Sequence, residues 1–358
     1  MPAPSLDDRQ TFARLDPEGL LGRIAGLPDQ MREAWDAARS LKLPARYADA
    51  DRVVVLGMGG SGIGGALLQA LALDLKARAA VHVVRGYALP AWVDERTLVI
   101  ASSNSGNTEE VVAAFGAALD SGAHCIAVTA GGRVMQMAQD RDVPVLRARW
   151  DAEPRAALGW SFIAPLAIVS RLGLAPDVSA MLDGALDELR AYAAALDAGV
   201  PEQRNEAKQL ARRLHGRLPV IIGAEALAPA AYRWRTQYNE NAKVWAVADE
   251  LPEMNHNAPL GYGAPAGLLP LLHVVLLRHD AMHPRNQLRV AATYDELRAH
   301  GIAAEIVDAA GASVLAQQLR AVQLGDFASY YLGILNEVNP SSMAALERLK
   351  KLLAESEG

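Results

Sequence analysis

An α/β fold is predicted, with two consecutive units that are each a parallel sheet flanked by helices on both faces. Three observations predict it. Short β-branched runs alternate with helical stretches through the first half of the chain. Those runs lack strict polar–apolar alternation, as strands covered on both faces do. The second half then repeats the order of the first: the run 219–222 stands before Gly223 as 53–56 stands before Gly57.

In the first copy the strands are 53–56, 80–84, 97–102, 125–128 and 143–146. A glycine loop and a helix at 66–73 follow the first strand, and a helix at 111–119 follows the third. An Ala/Leu-rich helix over 179–198 stops at Gly199-Val200-Pro201, a glycine-then-proline end signal. The boundary is placed there, giving units 1–198 and 199–358. In the second copy, strands at 219–222, 274–277 and 302–307 match the first, third and fourth strands. A helix is expected over 230–245, with Trp234, Arg235 and Trp245 packing or covering it, and an amphipathic helix over 343–353.

Composition narrows the function. At 358 residues the chain holds about two domains. With 51% hydrophobic and 21% charged residues, each can bury a core. A net charge of −6 argues against a nucleic-acid surface. Every apolar run is broken before it could span a membrane, and the N-terminus lacks the basic start and apolar stretch of a signal peptide. Cys125 is the single cysteine, which excludes an intrachain disulfide and fits a reducing cytoplasm, the expected location. It sits in an apolar run and reads as a buried strand residue.

The densest chemistry lies at 101–110, ASSNSGNTEE, between a strand and a helix. Ser102, Ser103, Asn104, Ser105, Asn107 and Thr108 surround Gly106. Helix N-termini leave N–H groups unpartnered and favour negative charge, and short hydroxyls add donors without bulk. The run therefore suits a phosphate monoester on a ligand that must later leave. A capping box of Asn107 and Glu110 would explain two of these residues and leave Ser103, Ser105 and Thr108 unaccounted for.

Gly57-Met58-Gly59-Gly60-Ser61-Gly62 has the GxGxxG spacing of a dinucleotide loop. The acidic partner for a ribose diol is missing, because Val84-Arg85-Gly86 stands at the end of the second strand. Arg85 would suit a 2′-phosphate, so an NADP-dependent oxidoreductase is one rival reading. The plainer role is close backbone approach at Gly59, Gly60 and Gly106, with Ser61 adding a hydroxyl to the pocket of Ser103, Ser105 and Thr108. Only the first copy has these loops, so only it is expected to hold phosphate.

Gly57–Gly65 (GMGGSGIGG) together with Ser105-Gly106-Asn107-Thr108 resembles the sugar isomerase (SIS) domain, and two tandem SIS-type copies would cover nearly the whole chain. Pro154-Arg155-Ala156-Ala157-Leu158-Gly159, Asn239-Glu240-Asn241-Ala242-Lys243, Pro252-Glu253-Met254-Asn255-His256-Asn257 and the tail Asn339-Pro340 … Leu349-Lys350 are similar to the bifunctional phosphoglucose/phosphomannose isomerase family. Each motif is modest alone, and their joint presence in order is specific.

The resemblance implies a cofactor-free aldose–ketose isomerase acting on glucose 6-phosphate or mannose 6-phosphate and fructose 6-phosphate through a cis-enediol(ate). Glu240 matches the base, Arg155 the arginine that stabilises the enediolate, and His256 and Lys350 the ring-opening residues. His256 is implied to act from the neighbouring subunit of a homodimer. Blander readings stand beside each: a solvated helix carboxylate for Glu240, a loop histidine for His256, and a basic last helical turn for Lys350, with Lys351 adjacent. Asn104 stands where the family has tyrosine, and Pro340-Ser341-Ser342-Met343 lacks a second proline. A non-catalytic sugar-phosphate sensor is the second rival, one that would not need Glu240, His256 and Arg155 together. His279 and His283 read as a loop, and no metal is assigned.

Overall fold

The computed structural model describes residues 4–150 and 152–355. Helices α1 (Arg9–Leu15), α2 (Leu20–Ala25) and α3 (Leu27–Ser40) lead into a five-stranded sheet. Its strands are β1 (Arg52–Leu56), β2 (Ala80–Val84), β3 (Thr97–Ser102), β4 (His124–Thr129) and β5 (Val145–Arg147). They lie in the order β2-β1-β3-β4-β5, all parallel. Between them run α4 (Gly59–Asp74), α5 (Glu109–Asp120) and α6 (Gly132–Asp140). Next come α7 (Ala164–Arg171), α8 (Ser179–Leu196) and α9 (Glu206–Leu214).

The second sheet contains β6 (Leu218–Ala224), β7 (Val247–Leu251), β8 (Leu272–Arg278) and β9 (Ala303–Asp308). Its order is β7-β6-β8-β9, again all parallel, the same arrangement as β2-β1-β3-β4. Helices α10 (Ala228–Gln237) and α11 (Pro284–Ala299) belong to it, and α12 (Val314–Leu335) and α13 (Ala344–Glu355) follow. Among the described residues no helix is long and apolar enough to cross a membrane.

The strands lack polar alternation because each sheet is covered twice. Val53 and Val55 of β1 enter one apolar core, and Val54 and Leu56 enter another on the opposite face. In β8, Val275 and Leu277 join the first core, while Val274 and Leu276 fill a third. Successive side chains point to opposite faces, so both sets must be apolar. The largest core takes residues from both halves, from Phe12 of α1 to Tyr331 of the almost wholly buried α12. Burial also pushes the Cys125 thiol up to about 12, which keeps it in the unreactive neutral form.

Three local expectations are corrected. β5 lies at Val145–Arg147, slightly beyond the expected 143–146. The helix expected over 230–245 ends at Gln237 and widens into a π turn, Tyr238–Ala242. Trp245 falls past that turn and is 79% exposed, so it is not packed into the helix, whereas Trp234 is fully buried and its indole donates to Ala321 O at 2.7 Å. Strand β7 has no counterpart among the sequence-derived strands. It is an edge strand, and edges tolerate charges such as Asp249 and Glu250 that disguise them as loops.

Candidate active site

In the order β2-β1-β3-β4-β5 the connections leave in opposite directions from β1 and β3. Ligands of open α/β sheets bind at such a switch point, beyond the carboxyl ends of the strands. The loop after β1 begins α4 with Gly59, Gly60 and Ser61, and the loop after β3 carries Ser103, Ser105 and Thr108 into α5. Neither helix start receives a side-chain cap: Met58 and Thr108 occupy the cap positions and make no capping bond. Two sets of first-turn N–H groups are thus left for a ligand.

The Ser-rich loop is internally braced. Ser103 is buried, accepts from Gly106 N at 3.1 Å, and lies 3.1 Å from the Thr108 hydroxyl. Ser105 is exposed and accepts from Asn107 N at 3.2 Å. Gly106 has φ +68 and packs against the Gly131 carbonyl, where a Cβ would collide. Asn107 is not part of a capping box on α5; its side-chain oxygen accepts from Arg133 N at 2.9 Å, in the first turn of α6.

The glycine loop meets the Arg155 segment directly. A Cβ on Gly60 would lie 2.8 Å from Pro154 O and 3.1 Å from Arg155 Cα, so only glycine lets the two segments touch. Arg155 is 3% exposed and held at every nitrogen. Its Nε donates to Asn241 Oδ1 at 2.7 Å, Nη2 donates to Pro340 O at 2.8 Å, and Nη1 lies 3.4 Å from Glu240 Oε2. Burial pulls its pKa down while the Glu240 and Glu153 charges oppose that. Asn241 donates in turn to Ser329 of α12 at 2.9 Å.

Glu240 sits in the π turn with its side chain 28% exposed, between solvent and the guanidinium. Behind it Arg233 forms a buried two-pronged pair with Asp326, at 2.9 and 2.7 Å, and also donates to the Arg155 carbonyl at 3.0 Å. Sequence reasoning did not find Arg233, Asp326, Ser329 or Lys243. Only the last lay inside a motif that had been singled out.

Among the described residues, no hydrogen bond or ion pair joins His256 or Lys350 to this cluster. His256 is exposed on the short turn after β7, and Lys350 is exposed on α13. The apolar stripe of α13, Leu346, Leu349, Leu352 and Leu353, is exposed as well. Arg85 donates to Gly62 O at 3.2 Å and lies over the Tyr232 ring, so it serves the start of α4. His279 pairs with Gln317 at 2.9 Å, and His283 caps α11 through Nδ1.

The second sheet differs at the matching place. The Glu225 carboxylate accepts from His283 N at 3.1 Å and from the Asn286 side chain at 2.5 Å. A fixed carboxylate thus occupies the start of α11, where α5 is open.

Duplicated parallel sheets of this order, with donor-rich loops at the switch point of the first, define a tandem SIS-domain protein. A solved hypothetical protein from Thermus thermophilus shares the fold at TM-score 0.74 and 19% identity, covering 98% of this chain and 93% of that one. Residues 203–353 match the family model for the bacterial phospho-glucose isomerase C-terminal SIS domain. A bifunctional phosphoglucose/phosphomannose isomerase of Caldicellulosiruptor bescii is 37% identical over 335 residues, 93% of this chain and 98% of that protein. One from Aquifex aeolicus is 32% identical over 84% of this chain and 90% of its own length. The chain belongs to the bifunctional phosphoglucose/phosphomannose isomerase family.

Proposed function

We propose that this enzyme interconverts glucose 6-phosphate and mannose 6-phosphate with fructose 6-phosphate. The carrying observation is the placement of the Glu240 carboxylate 3.4 Å from the buried Arg155 guanidinium, on a segment that touches the glycine loop. The 6-phosphate lies over the open starts of α4 and α5, held by Ser61, Ser105 and Thr108, with Ser103 bracing the loop and Gly59, Gly60 and Gly106 giving backbone access. The sugar then extends toward Glu240.

Glu240 takes the C2 proton of the open-chain aldose. The C2–H electron pair becomes the C1–C2 double bond, and the carbonyl oxygen gathers the charge of a cis-enediolate. Arg155 faces that charge with a guanidinium already fixed by three partners, so little reorganisation is required as the charge develops. A proton then passes from O2 to O1, the O2 electron pair forms the new carbonyl at C2, and the C1–C2 π pair takes the proton back from Glu240 at C1, which gives the ketose. Glucose and mannose differ at C2 and give the same enediolate; one base serves both provided that the sugar turns about C2–C3 to present the opposite face to Glu240.

His256 and Lys350 open the sugar ring. Both are exposed in the single chain, which suits an assembled homodimer in which His256 enters the partner's pocket and the leucines of α13 become covered. The family setting and the single buried cysteine suit a cytoplasmic enzyme. A coupled assay over phosphorylated hexoses tests the reading: turnover of glucose 6-phosphate and mannose 6-phosphate supports it, and turnover of neither overturns it.

A further inference from the structure

Lys243 closes the π turn that carries Glu240, and nothing in the proposed chemistry uses it. Its backbone has φ +56, a left-handed conformation that glycine or asparagine adopts more readily. A lysine in that conformation directs the question to its side chain, since backbone outliers cluster near functional sites. The ammonium donates to three main-chain carbonyls: Glu240 O, Pro340 O at 3.2 Å and Ser342 O at 2.8 Å. The first belongs to the catalytic turn, and the other two belong to the strap between α12 and α13. Pro340 O also accepts from Arg155 Nη2.

We propose that Lys243 is a positioning residue, a clasp that locks the strap at 339–342 onto the Glu240 turn and so fixes the mutual placement of Glu240 and Arg155. An ammonium has three N–H donors and no acceptor, so three converging carbonyls use it fully. It is therefore not free to touch the sugar. The strap leads directly into α13, so the clasp also sets where the C-terminal helix leaves the body of the enzyme. The role rests on the isomerase reading, but the clasp itself can be tested without it.

The charged groups facing Lys243 are Arg155 from the turn before α7 and Glu240 from its own turn; the strap offers carbonyls alone. Burial first, and the Arg155 charge second, lower the Lys243 pKa to about 8, with Glu240 opposing. Below that pH all three donors are present. Above it the amine keeps two N–H groups, and one carbonyl loses its donor.

Two variants separate the outcomes. Lys243→Asn suits the left-handed backbone and removes the ammonium; Lys243→Arg keeps a charge that does not titrate in this range. In Lys243→Asn, amide hydrogen exchange over 339–343 should quicken while the rest of the fold keeps its protection. Its kcat should drop about tenfold to a hundredfold, the scale on which small misplacements act, with KM for hexose 6-phosphate nearly unchanged. Wild-type kcat should decline above about pH 8. Lys243→Arg should recover most of the kcat and lose that alkaline decline. Unchanged exchange over 339–343 in Lys243→Asn overturns the clasp whatever the assay shows. Faster exchange with wild-type kcat overturns its part in positioning. Wild-type enzyme that turns over no hexose phosphate is a different failure, that of the isomerase reading.

Discussion

Arg155 Nη1 and Glu240 Oε2 stand 3.4 Å apart although 85 residues separate them in the chain. One is buried and the other is open to solvent along part of its side chain. The pair is held from behind by Asn241, Pro340 and Arg233, so its geometry belongs to the fold and does not wait for substrate.

Glu240→Gln keeps the size of the side chain and removes the proposed base. It should fold normally and bind hexose 6-phosphate, yet lose turnover. Incorporation of solvent deuterium or tritium at C1 and C2 should disappear with it. Exchange at the wild-type rate would show that another group moves the proton.

Ser105→Ala and Thr108→Ala each remove a hydroxyl from the loop at the start of α5. A hydrogen bond to a charged phosphate contributes about 1.5–3 kcal/mol. That corresponds to roughly a tenfold to hundredfold rise in KM, since about 1.4 kcal/mol is tenfold. The kcat should change little, because the phosphate is bound equally before and during reaction. Steady-state kinetics on both hexose 6-phosphates decide this; unchanged KM in both variants contradicts the phosphate site.

Arg233→Met tests the support behind the pair. It leaves Asp326 charged, buried and without its two-pronged partner. Breaking one side of a buried pair costs about 3–5 kcal/mol. Chemical denaturation should show a loss of that order, and Asp326→Asn in the Arg233→Met background should recover part of it. A loss below about 1 kcal/mol, the scale of an exposed pair, would mean that the pair is not desolvated in solution.

Mixing subunits tests the dimer. His256→Ala and Glu240→Gln enzymes should each be nearly inactive. In a two-fold dimer each subunit lends the same group to the other, so a mixed dimer contains one doubly defective site and one intact site. At equal mixing about half of the dimers are mixed, and activity should return to about a quarter of wild type. If the chains exchange and no activity returns, His256 works within its own chain or the enzyme works as a monomer.

The duplicated sheet was legible because β-branched runs and glycine loops are local signals that recur in both halves. The Ser-rich loop was legible for a similar reason: donors crowded into one short segment need no distant partner to declare themselves. Strand β7 was hidden because its acidic residues suit a sheet edge and equally suit a loop. The end of α10 was misplaced because Tyr238–Ala242 keeps helical composition while its backbone widens. Lys243 lay inside a recognised motif, but its carbonyl partners Pro340 and Ser342 lie about a hundred residues away.

The sequence by itself determined the α/β class, the internal duplication, the donor-rich loops at the strand ends and the family motifs, since each is written in spacing along the chain. Tertiary structure alone decided which of those motifs meet. It brought Arg155 against Glu240, placed Arg233 and Asp326 behind them, filled the second copy's helix start with Glu225, and left His256 and Lys350 facing outward. Those outcomes depend on burial and on carbonyl geometry between distant segments. A buried guanidinium or ammonium is tolerated only where the fold supplies its acceptors, and no local pattern of residues records that supply.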